Sequence, residues 1–165
     1  MPSITHIDKT GNPNMVDVGD KPVTKRAAIA EGWIRLSEDG FRALEAQTNH
    51  KGNVLYTAQL AGIQAAKRTS DLIPLCHPIP LTSVSVELHA DPDTRDVHCI
   101  ATVRVEWKTG VEMEALTSVT TALLTIYDML KAVDRGMQIG PIQLCEKRGG
   151  RSGHWQRESG ASGHP

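Results

Sequence analysis

The sequence predicts an α+β fold in which an antiparallel sheet carries helices packed on one face. Two neighbouring segments, residues 83–88 and 97–107, alternate between apolar and polar side chains with the period of a half-buried strand. The linker DPDTRD between them is typical of a hairpin loop. From Gly110 to about Gly136, apolar residues recur every three or four positions, which indicates a long helix with one buried stripe.

Three elements are predicted upstream of this hairpin. Residues 25–36 are typical of a first strand, and Ser37 can cap a short helix that runs to about Gln47. A second helix is predicted over residues 54–68. One of its faces consists of small side chains that permit another element to approach closely, namely Ala58, Ala61, Gly62, Ala65 and Ala66.

A proline-rich segment separates the second helix from the hairpin. Pro74, Pro78 and Pro80 disfavour regular structure, because each lacks a backbone N–H and restricts the residue before it. Residues 72–81 are therefore predicted to be extended and rigid.

The end of the long helix and the segments after it complete the fold. We expect Gly136 at the C′ position of this helix and Val133 on its apolar stripe. Residues 138–147 predict a last strand, followed by the glycine-rich loop GGRSG. The order β-α-α-β-β-α-β is close to the ferredoxin-like plan, an antiparallel sheet backed by helices.

The composition along the chain predicts a single domain with two loose ends. Residues 1–14 are polar and rich in Gly, Pro and Asn, and are interpreted as a flexible N-terminal arm. Residues 15–155 form one catalytic domain in this prediction, and residues 156–165 form a flexible C-terminal tail.

Charge and composition exclude several function classes. The net charge is −1, and the chain has only three Trp, two Tyr and one Phe, which argues against a nucleic-acid-binding platform. No apolar run is long enough for a membrane span, and the three cysteines include no CxxC pair. We expect a soluble, cytoplasmic protein without nucleic-acid or membrane partners.

The long helix carries acidic and basic residues that fit two interpretations. Asp128 and Lys131 lie three positions apart and are therefore neighbours, either as a solvated ion pair or as an acid–base couple. Glu112 and Glu114 fall in the first turn, where acids also stabilise a helix through its macrodipole.

His77 is held between Cys76 and Pro78 in the proline-rich segment. A histidine held in this way suits proton transfer near neutral pH, although a buried ring bonded to a carbonyl is an equally good interpretation. Because no second Cys/His cluster accompanies this pair, no metal site is predicted.

Several cations stand next to glycines or helix ends. Lys51 precedes Gly52, Lys67 ends the second helix, and Lys147 leads into GGRSG with Arg151. Such positions suit phosphate binding, although no Walker motif is present. Together with the acids and the histidine, they predict general acid–base chemistry on a nucleotide-like anion.

Long motifs in these segments resemble the MoaC family. They are MVDVGDK (residues 15–21), KGNVLYTAQLAGIQAAKRTSDLIPLCHPIPL (51–81), GVEMEALTSVTTALLTIYDMLKAVDRGM (110–137) and KRGGRSG (147–153). The resemblance implies an enzyme of molybdenum cofactor biosynthesis, a phosphorus–oxygen lyase. It would convert 3′,8-cyclo-7,8-dihydro-GTP to cyclic pyranopterin monophosphate and pyrophosphate.

The resemblance also implies roles for individual residues. Asp128, Lys131 and Lys51 match the family's catalytic positions, with His77 as a further site residue. Asp17 and Glu112 are additional candidates for proton transfer. The residues implied to bind substrate are Leu75, Cys76, His77, Met113, Glu114, Lys67, Lys147 and Arg151, the last three through the triphosphate. Asn53 and Arg151 depart from the commoner Asp and Lys of the family pattern.

The family's assembly and partners are implied in the same way. Members are similar in forming hexamers as trimers of dimers, with the active site at a dimer interface. The substrate is supplied by a radical S-adenosylmethionine enzyme. No cofactor is expected, apart from Mg²⁺ that could accompany the triphosphate.

The residues leave two other functions to consider, an RNA-binding module and a nucleotide-sensing domain. A ferredoxin-like RNA-binding module predicts aromatic side chains on the central strands, but His98, Ile100, Thr102 and Arg104 form no ring stack. A nucleotide-sensing domain would need the same cations as the enzyme. Only the additional acids and the histidine favour catalysis over sensing.

Overall fold

The computed structural model describes residues 4–46 and 53–158, which form a five-stranded sheet and four helices. In chain order the elements are β1 (Thr24–Arg35), α1 (Glu38–Ala46), α2 (Val54–Lys67), α3 (Thr69–Leu72), β2 (Ser83–Asp91), β3 (Asp96–Trp107), α4 (Glu112–Leu130), β4 (Gln138–Arg148) and β5 (Trp155–Gln156). None of these helices is both long and apolar enough to cross a membrane.

The strand order confirms the predicted α+β architecture. The sheet runs β2-β3-β1-β4-β5, and every neighbouring pair is antiparallel. Strands β1 and β2 flank α2 in the chain but are separated in space by β3. This is the split βαβ arrangement of the ferredoxin-like plan.

Alternating side chains bury one face of the sheet under the helices. On β3 the buried residues are Val97, Cys99, Ala101, Val103 and Val105, as the alternation predicts. On β1 the buried positions include Ala28, Ala30 and Ile34. Helix α4 contributes the opposing stripe, and its Val119, Leu123 and Ile126 are fully buried against β1, β3 and β4.

The small side chains of α2 are used within the chain. A Cβ placed on Gly62 would lie 3.1 Å from the Ser118 carbonyl oxygen of α4 and 3.2 Å from a methyl carbon of Val86. Helices α2 and α4 therefore pack closely because this face lacks bulk. The same face is consequently not available for contact with another copy of the chain.

The predicted end of the long helix is wrong. Helix α4 ends at Leu130, and Lys131 is its C-cap with φ −59° and ψ −22°. Gly136 is not among the glycines with positive φ, and Val133 is 56% exposed rather than part of the stripe. The physical reason is Asp134, whose carboxylate accepts hydrogen bonds from the backbone N–H groups of Ser37 (2.6 Å) and Gly136 (3.0 Å).

The proline-rich segment is only partly extended. Leu72 closes the short helix α3, which the sequence analysis missed, and the Cys76 N–H then donates to the Ile73 carbonyl (3.1 Å) in a turn. Residues 76–81 follow without regular structure, as expected. Pro78 and Pro80 thus lie in the irregular stretch, whereas Pro74 lies in the turn before it.

Both predicted loose ends contain defined local structure. Residues 6–14 form a small hairpin in which Ile7 bridges Pro13. Gln156, which was assigned to the tail, pairs with Glu146 in strand β5. The flexibility of the arm and of the tail stays a prediction.

Candidate active site

One pocket collects most of the predicted substrate-binding residues. It has a volume of about 160 Å³ and is lined by Leu75, Cys76, His77, Glu112, Met113 and Glu114, together with His6, Ile79, Thr109 and Gly110. The proline-rich segment supplies one wall, and the first turn of α4 supplies the other. We call this cavity the acidic pocket.

His77 is fixed in this pocket by the backbone. Its Nε2 lies 2.6 Å from the carbonyl oxygen of Val16. Because a carbonyl only accepts, Nε2 carries the hydrogen, which leaves Nδ1 as the acceptor of the neutral ring. The interpretation of His77 as a ring bonded to a carbonyl is confirmed, and the ring also lines the pocket, while its role in proton transfer stays a prediction.

The acidic side of the pocket contains a carboxyl group tuned towards neutrality. Burial raises the pKa of Glu114 to about 7, and the neighbouring charge of Glu112 adds to the shift. Burial, with the charge of Glu114, also raises the pKa of the Cys76 thiol. Glu114 can therefore exchange a proton near pH 7, while Cys76 stays a neutral thiol.

Asp17 lies beside this site but does not line it. Its Oδ1 accepts a hydrogen bond from the Gly19 N–H (2.8 Å) in an exposed turn. The preceding residue, Val16, provides the carbonyl that holds His77. The described geometry thus gives Asp17 a local role in this turn, and its role in proton transfer stays a prediction.

Lys67 lines an adjoining cavity of about 430 Å³. Ile63, Leu81 and Thr82 form part of its walls, and Ile79 lines both this cavity and the acidic pocket. The cavity that contains Lys67 and the acidic pocket therefore share one lining residue.

A third cavity, of about 300 Å³, is lined by cations. Lys21, Arg26 and Arg151 surround it together with Thr24, whose buried hydroxyl has no hydrogen-bond partner among the described residues. We call it the cationic pocket. Sequence reasoning missed Lys21 and Arg26 as site residues, and only the position of Lys21 within MVDVGDK offered a signal.

The cationic pocket lies at the same end of the sheet as the acidic pocket. Thr24, which lines the former, pairs with Trp107 at the end of β3. Thr109 and Gly110, which line the latter, follow Trp107 in the chain. Both cavities therefore lie near the same end of β3.

The glycine-rich loop holds the cations in place. Gly149 and Gly150 have φ values of +89° and +77°, and a Cβ on them would collide with the Lys25 carbonyl and the Arg26 guanidinium. Lys147 donates to the Gly149 carbonyl (3.0 Å) and to the Ser152 hydroxyl, so its ammonium keeps one further donor for a ligand.

The Asp128–Lys131 pair forms, but far from the pocket. Lys131 Nζ lies 2.7 Å from Asp128 Oδ1, and both side chains are about half exposed. At about 1.5 Å of rise per residue along α4, Asp128 lies about 24 Å from Glu112. One protomer therefore does not bring all predicted catalytic residues together. Lys51 lies outside the described residues.

No metal centre is present in the part of the chain that the structure describes. There, no group of three or more His, Cys, Asp or Glu side chains could hold an ion together.

The chain is similar to known proteins over most of its length. A description of the MoaC family matches residues 15–150, which is most of the chain. The chain belongs to the MoaC family. Two proteins of Brucella melitensis, from biotype 1 (strain ATCC 23456) and biotype 2 (strain ATCC 23457), are each 53% identical to it over 159 residues. Both are described as cyclic pyranopterin monophosphate synthase, and the match covers 96% of each chain.

The MoaC family match includes nearly every residue of the site described above. The matched range includes the Asp128–Lys131 pair, the cations Lys21, Arg26, Lys67 and Lys147, and every lining residue of the acidic pocket except His6. His6 and Arg151 lie outside the matched range.

Proposed function

We propose that this protein is a cyclic pyranopterin monophosphate synthase that acts on 3′,8-cyclo-7,8-dihydro-GTP. The single observation that carries the proposal is the extent of the likeness, 53% identity over 96% of the chain to synthases of the same length. The pocket geometry supports it, because acids and an imidazole lie at the same end of the sheet as a cationic cavity. Family membership makes the enzyme a component of molybdenum cofactor biosynthesis.

The reaction needs proton transfers at the ring and a displacement at phosphorus. The reduced imidazole ring is opened and the fragments recondense as a pterin. A sugar hydroxyl then attacks the α-phosphorus, the bond from this phosphorus to the bridging oxygen breaks, and pyrophosphate leaves with that oxygen. This makes the enzyme a phosphorus–oxygen lyase.

The residues divide these tasks by their chemistry. Asp128 and Lys131 form the acid–base couple at the ring, with Lys51 as a second proton donor or carbonyl activator. His77 orients the base or the sugar. Glu114, with its pKa near 7, can relay protons at neutral pH. Met113 contacts the ring system beside it.

The cations stabilise the departing pyrophosphate. Lys21, Arg26 and Arg151 line the cationic pocket, Lys147 binds the glycine-rich loop, and Lys67 lines the cavity next to the acidic pocket. Fixed positive charges lower the energy of a developing anion most when they are held in place before the reaction. The Arg26 guanidinium meets this condition, because its Nε donates to the Trp107 carbonyl (3.2 Å).

Two copies of the chain together form one active site in this proposal. The acidic pocket has a volume of about 160 Å³, which is smaller than the volume of ordinary ligand sites, roughly 300–1,000 Å³. The Asp128–Lys131 pair lies at the other end of α4, on the surface. We therefore propose that a second copy brings its Asp128 and Lys131 to this pocket, in dimers that assemble as a hexamer.

The wider setting of the enzyme follows from its substrate. We propose that the reaction uses no resident cofactor and that Mg²⁺, where it takes part, enters with the triphosphate. The substrate comes from a radical S-adenosylmethionine enzyme, and the location is cytoplasmic.

Turnover of enzymatically prepared 3′,8-cyclo-7,8-dihydro-GTP tests the proposal. Pterin fluorescence after oxidation and pyrophosphate release would be followed for wild type, Asp128→Asn and Lys131→Ala. Both variants should lose about 100-fold or more in kcat, the scale of lost acid–base catalysis. Their folding should be unaffected, because an exposed ion pair stabilises a protein by less than about 1 kcal/mol.

A matched control is the exposed Glu38–Arg42 ion pair on α1. Arg42→Ala removes a comparable surface pair and should leave kcat within about twofold of wild type. Folded wild-type protein that binds GTP but releases neither product would contradict the synthase and leave the nucleotide-sensing domain as the better description.

A further inference from the structure

His6 is a pocket residue that the reaction described above does not use. It lines the acidic pocket together with His77, Glu112 and Glu114. It lies outside residues 15–150, so the family match assigns it nothing. An imidazole in a pocket that also holds acids and a second histidine has the chemistry to contact a ligand.

The hairpin that carries His6 belongs to neither the sheet nor the core. Ile4 is 78% exposed and Ile7 is 46% exposed, so burial of apolar side chains does not explain where this segment lies. From the hairpin the chain continues through Met15 to Val16, whose carbonyl oxygen accepts a hydrogen bond from the His77 ring. The hairpin and the pocket are therefore joined at the site itself.

Hydrogen bonds within the hairpin fix the backbone of His6. The Asn14 N–H donates to the His6 carbonyl (2.9 Å). Asp8 Oδ1 accepts from the backbone N–H groups of Thr10 (2.8 Å) and Asn12 (2.9 Å) and from the Thr10 hydroxyl (2.7 Å). The hydrogen bond from the Thr10 side chain, followed by those from the backbone, holds the pKa of Asp8 below its usual value. The turn is therefore organised around one carboxylate.

We propose that His6 contacts the nucleotide substrate and that the hairpin centred on Asp8 is the element that positions it. The proposal rests on the proposed function, since it assigns a further ligand contact to the same pocket. His6 would donate a hydrogen bond to an oxygen of the bound nucleotide. Asp8 acts only through His6 and is a positioning residue.

The first test compares His6→Asn with a matched histidine variant. His89 lies on β2 with its side chain 61% exposed and lines none of the three pockets of the site, so His89→Asn is the control. GTP affinity would be measured by calorimetry, and kcat and KM with the cyclised substrate. His6→Asn should weaken GTP binding and lower kcat/KM by about tenfold, the effect of losing one hydrogen bond to a charged ligand. His89→Asn should change neither.

The second test asks whether the hairpin works through His6. Asp8→Ala removes the acceptor and should reproduce the loss in GTP affinity, whereas Asp8→Asn keeps an acceptor oxygen and should retain most of it. The double variant His6→Asn/Asp8→Ala should bind GTP no more weakly than His6→Asn alone. A purely structural effect of Asp8 would instead add to that of His6.

Wild-type affinity for GTP in folded His6→Asn, or additive losses in the double variant, would overturn the proposal. The two proposals fail separately. Wild type that binds GTP without forming product contradicts the synthase, and the affinities of the variants still decide the role of His6. Wild type that neither binds GTP nor turns over the cyclised substrate contradicts both.

Discussion

At the scale of single residues, Glu114 shows how position sets chemistry. Its carboxyl group is 3% exposed at the start of α4 and lies near a second acid, Glu112. Burial disfavours the charged form, and the neighbouring carboxylate disfavours it further, so its pKa rises to about 7. A side chain that is ionised in most proteins at pH 7 is therefore only half ionised in this pocket.

This shift predicts how stability depends on pH. Because the folded pKa is raised, the folded protein binds more protons than the unfolded chain between about pH 4.5 and pH 7. The stabilising contribution of the protonated carboxyl is complete below pH 4.5 and is lost as the pH rises through 7. Since one pKa unit corresponds to about 1.4 kcal/mol, wild type should lose about 2 kcal/mol of unfolding free energy relative to Glu114→Gln between pH 5 and pH 8.5.

Urea unfolding at matched protein concentration measures the difference. Glu45→Gln, which removes an exposed carboxyl from α1, is the control and should track wild type at every pH. Parallel pH profiles of wild type and Glu114→Gln would show that the carboxyl is not perturbed by burial.

At the scale of elements, the sheet and helix α4 were predictable from local pattern. Strand β3 alternates strictly and α4 carries an apolar stripe, so each reports its own buried face. The end of α4 was not predictable, because Asp134 turns the chain by binding the N–H of Ser37, 97 residues away in sequence. Gly136 is a plausible local signal for the end of a helix, but the helix ends earlier because of the long-range contact between Asp134 and Ser37.

Two glycines give a paired test of this packing. A Cβ on Gly32 in β1 would lie 2.8 Å from a methyl carbon of Val119 and 3.0 Å from a carbon of Ile142, so Gly32→Ala should cost about 1–3 kcal/mol through overpacking. A Cβ on Gly136 would meet only Asp134 Oδ1 at 3.6 Å, and Gly136→Ala should leave stability unchanged within about 1 kcal/mol.

Urea midpoints of the two variants and wild type would be compared. A large loss in Gly136→Ala would restore the left-handed C′ glycine that the sequence suggested. A neutral Gly32→Ala would mean that β1 and α4 are less closely packed than described.

The site was predictable only where its residues lie in continuous motifs. The acidic pocket is lined by residues of the motifs LCHP and VEMEA, and both motifs stand out in the sequence because unusual residues are adjacent. His6 and Arg26 carry no such signal, since a lone cation or histidine in a strand or loop is ordinary. Only the pairing of β1 with β3 and the position of the hairpin bring them to the site.

At the scale of the whole molecule, one helix carries residues that we propose as catalytic at both of its ends. The acidic pocket lies at the start of α4, and the Asp128–Lys131 pair lies about 24 Å away at its end. Acid–base catalysis needs its groups within hydrogen-bond reach of the same substrate. An isologous dimer would satisfy this need twice, because each copy would supply one end of α4 to each of two sites.

Subunit mixing tests this central claim most directly. His77→Ala impairs the pocket and Asp128→Asn impairs the acid–base pair, and each alone should be nearly inactive. The two variants would be unfolded together in urea at a 1:1 ratio and refolded, and mixed assemblies would be verified by native mass spectrometry.

If the site is shared between copies, half of the dimers are mixed and each contains one intact site, so activity should return to about a quarter of wild type. Activity no greater than that of the separate variants, in samples shown to contain mixed assemblies, would contradict a shared site.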